Sequence, residues 1–425
     1  MNVRILRPIV GGTVRAIASK SEAHRLLICA ALAEGETFIS CPERSEDIDA
    51  TAHCLTSLGA SIRHERNGFA VTPIDRHTVS NKQYTLDCSE SGSTLRFLLP
   101  VCGALGLRVS FSMRGRLPDR PLSGLYDEMA SHGCRLSEPD ISPLICEGKL
   151  KPGVYTLPGN ISSQFVSGLL FALPLLSGDS VIRVTDNLES RPYADMTLDT
   201  LRLFGIKITE DERQVFRVPG GQTFRSPKTV NVSGDWSNAA IWLSAGAIGK
   251  NAVICTGLDP DSRQGDRAIV ELLARFGADT VCTDGSVTVS PGTICGIEID
   301  AGDTPDLVPV LAAVAAVAEG RTIICNAGRL RIKESDRLRT VAASLSGLGA
   351  DITETEDGLI IIGKEKLTGG QTESFGDHRI AMTAAIVSSV CDGNVMIHDA
   401  DAVRKSYPGF WDDFNTVLGG VSEEF

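Results

Sequence analysis

Apolar and polar positions along the chain follow two periods. Short alternating runs such as Tyr84 to Cys88, Leu107 to Met113, Cys134 to Ser137 and Leu144 to Glu147 predict strands. Longer runs that are apolar nearly all round, such as Ser91 to Ala104 and Ile380 to Val387, predict buried helices covered by sheets. With the helix predicted over Leu122 to Ser131 and the basic loop Arg114 to Arg120, residues 84–147 read as β-α-β-α-β-β.

That unit recurs. Glycines that close a helix before a strand stand at Gly59, Gly133, Gly205, Gly277, Gly349 and Gly419, 70 to 74 residues apart. A second series, Gly35, Gly106, Gly178, Gly249, Gly320 and Gly393, keeps a spacing of 71 to 73. Both series suit the left-handed position after a helix, where a side chain would clash. Two interleaved series of one period mean six copies of one unit.

Six such copies exceed one hydrophobic core, and three plus three is the natural division. Repeat three ends near Gly220-Gly221, before a polar stretch to Lys228 and a strand from Thr229 to Val232. The strand ahead of the first helix is Thr13 to Ala18, and Met1 to Pro8 reads as the leftover of a truncated last repeat. The expected domains are 1–18 with 234–425, and 19–233, crossing near residues 18 and 233 and closing like a hinge over a cleft.

Composition narrows the chemistry. The net charge is -12, against nucleic-acid or anionic-membrane binding, and no run reaches the ~18 apolar residues of a membrane span. The twelve cysteines show no Cys-x-x-Cys pair and no metal spacing, and read as small buried hydrophobes in a reducing cytoplasm. Gly358 to Glu365 nearly matches a phosphate loop, but Glu365 replaces Ser/Thr and the apolar centre predicts a strand.

The cations, however, are gathered. Arg329 to Arg339 packs five basic and two acidic residues into eleven positions, and Lys333 and Arg337 share a face if helical. At the same point of each copy, ahead of the first helix, stand Ser19-Lys20-Ser21 with Arg25, Ser91-Gly92-Ser93 with Arg96, Ser162-Ser163-Gln164, Gly234-Asp235, Asp303 to Asp306, and Asp377-His378-Arg379. Ahead of the second helix stand Glu43-Arg44, Asp119-Arg120, Ser190-Arg191 with Tyr193, Asp261 to Arg263, Lys333 to Arg337, and Arg404-Lys405. Helix N-termini attract anions, and Lys20, Arg25, Arg96, Arg120, Lys333, Arg337, Arg379 and Lys405 add eight cations at matching positions of an acidic protein. The expected ligands carry several phosphates or carboxylates, as two molecules. Most Ser and Asp here also serve as helix caps, and Arg44 and Arg263 read as surface residues. Glu334 reads either as a salt-bridge partner or as an acid near bound anions, and Asp306 either as a helix-start charge or as a base.

Taken in order, these motifs resemble the 5-enolpyruvylshikimate-3-phosphate synthase family over the whole length. The resemblance implies a two-domain inside-out α/β barrel of six repeats and an active site in the cleft. It implies transfer of the enolpyruvyl group of phosphoenolpyruvate to the 5-hydroxyl of shikimate 3-phosphate, with no metal or cofactor, by a cytoplasmic monomer. By similarity Ser21, Arg25, Ser162, Ser163, Ser190 and Tyr193 hold shikimate 3-phosphate, and Gln164 contacts both substrates. Arg120, Arg337, Arg379, Lys405 and the backbone near Gly92 hold phosphoenolpyruvate; Arg96, Lys20 and Lys333 complete the binding set. Asp306 deprotonates the 5-hydroxyl, and Glu334, helped by Lys20, protonates the methylene carbon. Glu90 and Arg329 depart from the family pattern, each standing where Asn is expected.

Two other readings stay open. UDP-N-acetylglucosamine enolpyruvyl transferase shares the fold, but its mobile loop carries a cysteine that Met113 to Pro121 lacks. A non-catalytic anion binder is opposed by the joint presence of Asp306, Glu334 and Lys20.

Overall fold

The computed structural model describes residues 1–76, 82–211 and 214–425. The chain divides into two compact units, a discontinuous one of Met1–Ser19 with Ser233–Phe425 and a continuous one of Lys20–Val232.

Among the described residues each unit carries three four-stranded sheets of one topology. In the second repeat Gln83–Asp87 runs parallel to Arg108–Ser112. Leu144–Gly148 pairs antiparallel with that second strand and with Cys134–Leu136 at the edge. The parallel step needs a crossover, which helix Gly92–Leu105 supplies. All six sheets repeat this order, so the β-α-β-α-β-β reading holds.

The crossover helices form the centres. In the discontinuous unit Trp236–Ile248, Val308–Ala315 and His378–Val387 pack on one another. Every residue of the three is buried, as sequences apolar on all sides require. Sheets wrap the outside, an inside-out arrangement. In the continuous unit Gly92–Leu105 and Ser163–Ala172 pack most intimately. Pro100 has no N–H for the Arg96 carbonyl, and Gly168 lies over that carbonyl so closely that a Cβ would approach within 2.2 Å.

Glycine serves two purposes that the sequence does not distinguish. All six of the first series are left-handed, from Gly419 at φ 71° to Gly277 at φ 109°, as are Gly35, Gly106 and Gly320. Gly178, Gly249 and Gly393 are not. Gly249 has φ -78°, and a Cβ there would stand 2.7 Å from the Ala245 carbonyl oxygen. Close backbone approach, rather than handedness, explains it.

The N-terminal strands depart from simple chain order. The strand ahead of the first helix ends at Arg15, not Ala18, and Gly12–Arg15 runs parallel to Val253–Thr256, in the sheet of the fourth repeat. The matching place beside Thr37–Ser40 in the first repeat is taken by Thr229–Asn231. Repeats one and four have thus exchanged their opening strands. Val3–Arg7 lies between Val395–His398 and Val421–Glu424 in the last sheet. Residues 17–19 lie antiparallel to 233–235, with Ser19 N–H donating to the Ser233 carbonyl at 2.8 Å.

Burial of the cysteines is incomplete: Cys282, Cys295 and Cys325 are exposed and Cys391 partly so. Cys282 sits on edge strand Asp279–Thr283, which presents mostly exposed positions. No helix of the described residues is long and apolar enough to cross a membrane.

Candidate active site

In the discontinuous unit the charged stretch does not form one helix. Gly328–Ile332 make a 3-10 turn, Lys333 is extended, and helix Arg337–Gly347 starts after Asp336, whose side chain accepts from the Arg339 N–H. Lys333 and Arg337 therefore share no helical face. They converge on Asp306 Oδ1 all the same.

Asp306 lies in the 3-10 turn Pro305–Leu307 that opens helix Val308–Ala315. Arg337 Nη1 donates to its Oδ1 at 2.6 Å, and Lys333 Nζ lies 3.6 Å from the same oxygen. Arg379 Nη2 lies 3.3 Å from Oδ2, and Arg379 Nη1 donates to the Asp306 carbonyl at 3.2 Å. Glu334 joins through Arg337, with Nη2 to Oε2 at 2.8 Å. Arg337 is 1% exposed, and its Nε donates to Asp377 Oδ2 at 2.7 Å. Asp377 also accepts from Ser335 Oγ at 3.0 Å and caps helix His378–Val387 through the Arg379 N–H. One carboxylate thus fixes both arginines, Arg337 by its side chain and Arg379 by its backbone.

Burial alone would raise the proton affinity of Asp306, but Arg379, Lys333 and Arg337 outweigh it and hold the carboxyl well below the usual range. Burial pushes the Lys333 ammonium down to about 8; Arg337 and Arg329 add to the fall, against Asp306 and Glu334. Arg329 Nη2 donates to the Gly302 carbonyl at 2.6 Å, which ties the loop before Asp306 to the Lys333 turn. Lys405 ends the 3-10 turn Ala400–Lys405, is buried, and its turn packs on helix His378–Val387. His378 is buried with Nδ1 3.7 Å from Asp377 Oδ1.

The continuous unit gathers a second group at its helix starts. Arg25 is buried, with Nη1 donating to the Ser21 carbonyl at 2.6 Å, Nη2 to the Tyr193 carbonyl at 2.8 Å and Nε to Thr197 Oγ1 at 2.8 Å. Burial lowers its guanidinium to about 10, so it stays a cation at neutral pH. Ser190 is left-handed at φ 53°, immediately before helix Arg191–Leu203, in a conformation that is uncommon for serine. Arg96 Nη1 donates to Gln164 Oε1 at 2.8 Å, Gln164 Nε2 donates to Ser93 Oγ at 2.9 Å, and Ser162 caps helix Ser163–Ala172. Lys20 Nζ pairs with Asp47 Oδ2 at 2.9 Å. Gly92 admits the Arg120 guanidinium against the helix start, since a Cβ would meet Nη1 at 2.8 Å. Glu90 packs on Gly115, where a Cβ would stand 2.2 Å from its Oε1.

Sequence reasoning missed the groups that hold these residues. His24 Nδ1 bonds Thr51 Oγ1 at 2.7 Å, Thr51 bonds Thr94 Oγ1 at 2.6 Å, and Thr94 Oγ1 donates to Ser91 Oγ at 2.8 Å. This buried chain joins three helices, Lys20–Leu32, Glu46–Ser57 and Gly92–Leu105. Burial lowers His24 to about 3, so the ring is neutral and serves as a spacer. Asp377 was within a noted motif, but nothing in its spacing showed that it clamps Arg337.

Buried helices inside sheets, with cations and carboxylates at the helix starts, make an α/β protein suited to anionic ligands. Residues 7–414 match the family model described as EPSP synthase (3-phosphoshikimate 1-carboxyvinyltransferase). The chain is 46% identical over 413 residues to a 3-phosphoshikimate 1-carboxyvinyltransferase of Clostridium kluyveri, covering 97% of this chain and 96% of that one. It is 42% identical over 432 residues to the enzyme of that name from Clostridioides difficile, covering 99% and 98%. An EPSP synthase structure from Acinetobacter baumannii superposes with a TM-score of 0.83 at 26% identity, covering both chains fully. The enolpyruvyl transferase NikO from Streptomyces tendae shares the fold, with a TM-score of 0.78 at 17% identity over 99% of this chain and 98% of that one. The chain belongs to the EPSP synthase family.

Proposed function

We infer that this chain transfers the enolpyruvyl group of phosphoenolpyruvate to the 5-hydroxyl of shikimate 3-phosphate, releasing phosphate on the shikimate route to aromatic amino acids. The carrying observation is Asp306, an ionised carboxylate at a buried helix start with three cations within 3.6 Å.

In the addition step the hydroxyl oxygen bonds the central carbon of phosphoenolpyruvate, its proton passes to Asp306, and Glu334 with Lys20 protonates the methylene carbon. In the elimination step a methyl proton returns to a carboxylate and the bond to phosphate breaks. Arg120, Arg337, Arg379 and Lys405, with the backbone at Gly92, hold the carboxylate and phosphate of phosphoenolpyruvate. Ser21, Arg25, Ser162, Ser163, Ser190 and Tyr193 hold shikimate 3-phosphate, and Gln164 touches both. Arg96 and Lys333 complete the set. Bidentate arginines suit both anions, and positioned cations stabilise charge as it moves. The protein works as a cytoplasmic monomer.

The test is phosphate release from phosphoenolpyruvate by the purified protein. Release only with shikimate 3-phosphate is expected. Release only with UDP-N-acetylglucosamine would transfer the reading to the sister activity, and silence with both would overturn it.

Two further outcomes are expected. In Gly92→Ala the new methyl would stand 2.8 Å from Arg120 Nη1, so the guanidinium must shift. KM for phosphoenolpyruvate then rises roughly tenfold or more, the worth of one charge-assisted hydrogen bond, with KM for shikimate 3-phosphate little changed. Lys333 has its ammonium lowered to about 8 and loses charge as pH rises through that value. Affinity for the anionic substrates should weaken above it, and Lys333→Arg should remove that basic limb from the KM profile.

A further inference from the structure

Two of the groups assigned to phosphoenolpyruvate leave the last sheet side by side. Strands Gly370–Glu373 and Val395–His398 are parallel, with Glu373 opposite His398, so they stop at the same level. The first leads through Ser374, Phe375 and Gly376 to Asp377, His378 and Arg379. The second leads through Asp399 to the turn Ala400–Lys405. One side chain spans the gap between them. Asp399 Oδ2 accepts from Ser374 Oγ at 3.0 Å and from the Gly376 N–H at 3.1 Å. The Asp399 carbonyl lies 2.8 Å from the same Ser374 hydroxyl. Ser374 is fully buried and Asp399 is exposed, so the bond pins a surface turn to an interior anchor.

The backbone gives a second, independent sign. Asp399 is left-handed, at φ 53° and ψ 41°, and so are Phe375 at φ 55° and Gly376 at φ 66° across from it. Aspartate tolerates that region better than most residues, but only glycine occupies it freely. The position after the second strand is left-handed in the other two repeats of this unit as well. Gly257 follows Val253–Thr256 at φ 78°, and Asn326 follows Arg321–Cys325 at φ 56°. Glycine in the fourth repeat means that the backbone here asks for no side chain. Aspartate in the sixth keeps a less favoured conformation and spends its carboxylate on the neighbouring loop.

Resting on the functional reading above, we propose that Asp399 is a positioning residue for phosphoenolpyruvate: it locks the loop that presents Asp377 and Arg379 to the turn that presents Lys405. Asp399 does not touch the substrate; it acts through Arg379 and Lys405. Two cations that grip one small anion must keep a fixed separation, and a displacement of about 1 Å is enough to spoil the fit. Each cation stands on its own loop, and the Asp399 carboxylate joins the two loops directly.

The test compares Asp399→Ala, Asp399→Gly and Asp399→Asn in the full chain, each by kcat, both KM values and thermal unfolding. Asp399→Ala and Asp399→Gly should raise KM for phosphoenolpyruvate about fivefold to tenfold, the worth of one net hydrogen bond, with KM for shikimate 3-phosphate within about twofold. Asparagine accepts from both donors and tolerates the left-handed region, so Asp399→Asn should stay within about threefold of wild type. Glycine separates bonding from strain, because it frees the backbone and supplies no acceptor. Recovery in Asp399→Gly, or an Asp399→Asn as damaged as Asp399→Ala, would overturn the proposal. An unchanged KM for phosphoenolpyruvate in Asp399→Ala would do the same. So would a rise in both KM values in step with a lower melting temperature, the mark of a purely structural role. Hydrogen exchange without substrate reads the linkage apart from the chemistry. Asp399→Gly should lose protection over residues 374–379 and 400–407 together, and a loss confined to 400–407 would sink the linkage. A wild-type chain that releases no phosphate would instead overturn the functional reading, while the exchange result would still judge the joined loops.

Discussion

Asp306→Asn should lower kcat by roughly 100- to 10,000-fold, the usual worth of a positioned acid or base. Its effect on binding should be the reverse of a simple lesion. Arg337, Lys333 and Arg379 all spend charge on Asp306 across 2.6 to 3.6 Å. Neutralising it releases that charge toward an anionic substrate. KM for phosphoenolpyruvate should therefore stay level or drop while kcat collapses. Steady-state kinetics at pH 7 reads both constants at once. A rise in KM with kcat preserved would make Asp306 a structural counter-ion and end its role as base.

Arg337→Met should have the largest effect on stability. The guanidinium is 1% exposed and serves Asp377, Asp306 and Glu334 together. Removing it strands buried carboxylates, a loss that typically costs about 3–5 kcal/mol. Tryptophan fluorescence during urea unfolding is the fitting probe, because Trp236, Trp242 and Trp411 all lie in the discontinuous unit. Adding Asp377→Asn to the variant should recover part of the loss, since it removes one stranded charge. A midpoint shift too small to resolve, or a double variant weaker than the sum of its parts, would contradict this account.

These two residues also mark where sequence reasoning succeeds and where it stops. The sixfold repeat was legible because glycine is demanded by local geometry: a helix that must turn left at Gly59 or Gly277 leaves a mark that needs no knowledge of neighbours. Gly249 left the same mark for another reason, and no periodicity could reveal it, because the Ala245 carbonyl is its cause. The candidate cations were legible as register-matched charge. Their arrangement was not: Lys333 and Arg337 meet at Asp306 by way of a 3-10 turn and an extended residue rather than a shared helical face. Asp399 and the His24 to Ser91 chain escaped altogether, and the clamping role of Asp377 escaped though its motif was noted. Each acts through a partner at least 23 residues away, and such pairings exist only once the elements are packed.

The exchange of opening strands carries a consequence for synthesis on the ribosome. Once Asn231 has emerged, the continuous unit has the strand its first sheet was missing and can close. Strand Val3–Arg7 must wait far longer. Val3 has no ladder partner until Ile397 and Glu424 are translated. Until then Val3–Arg7 is an unpaired strand, and the unit that holds Asp306 is finished after the continuous one.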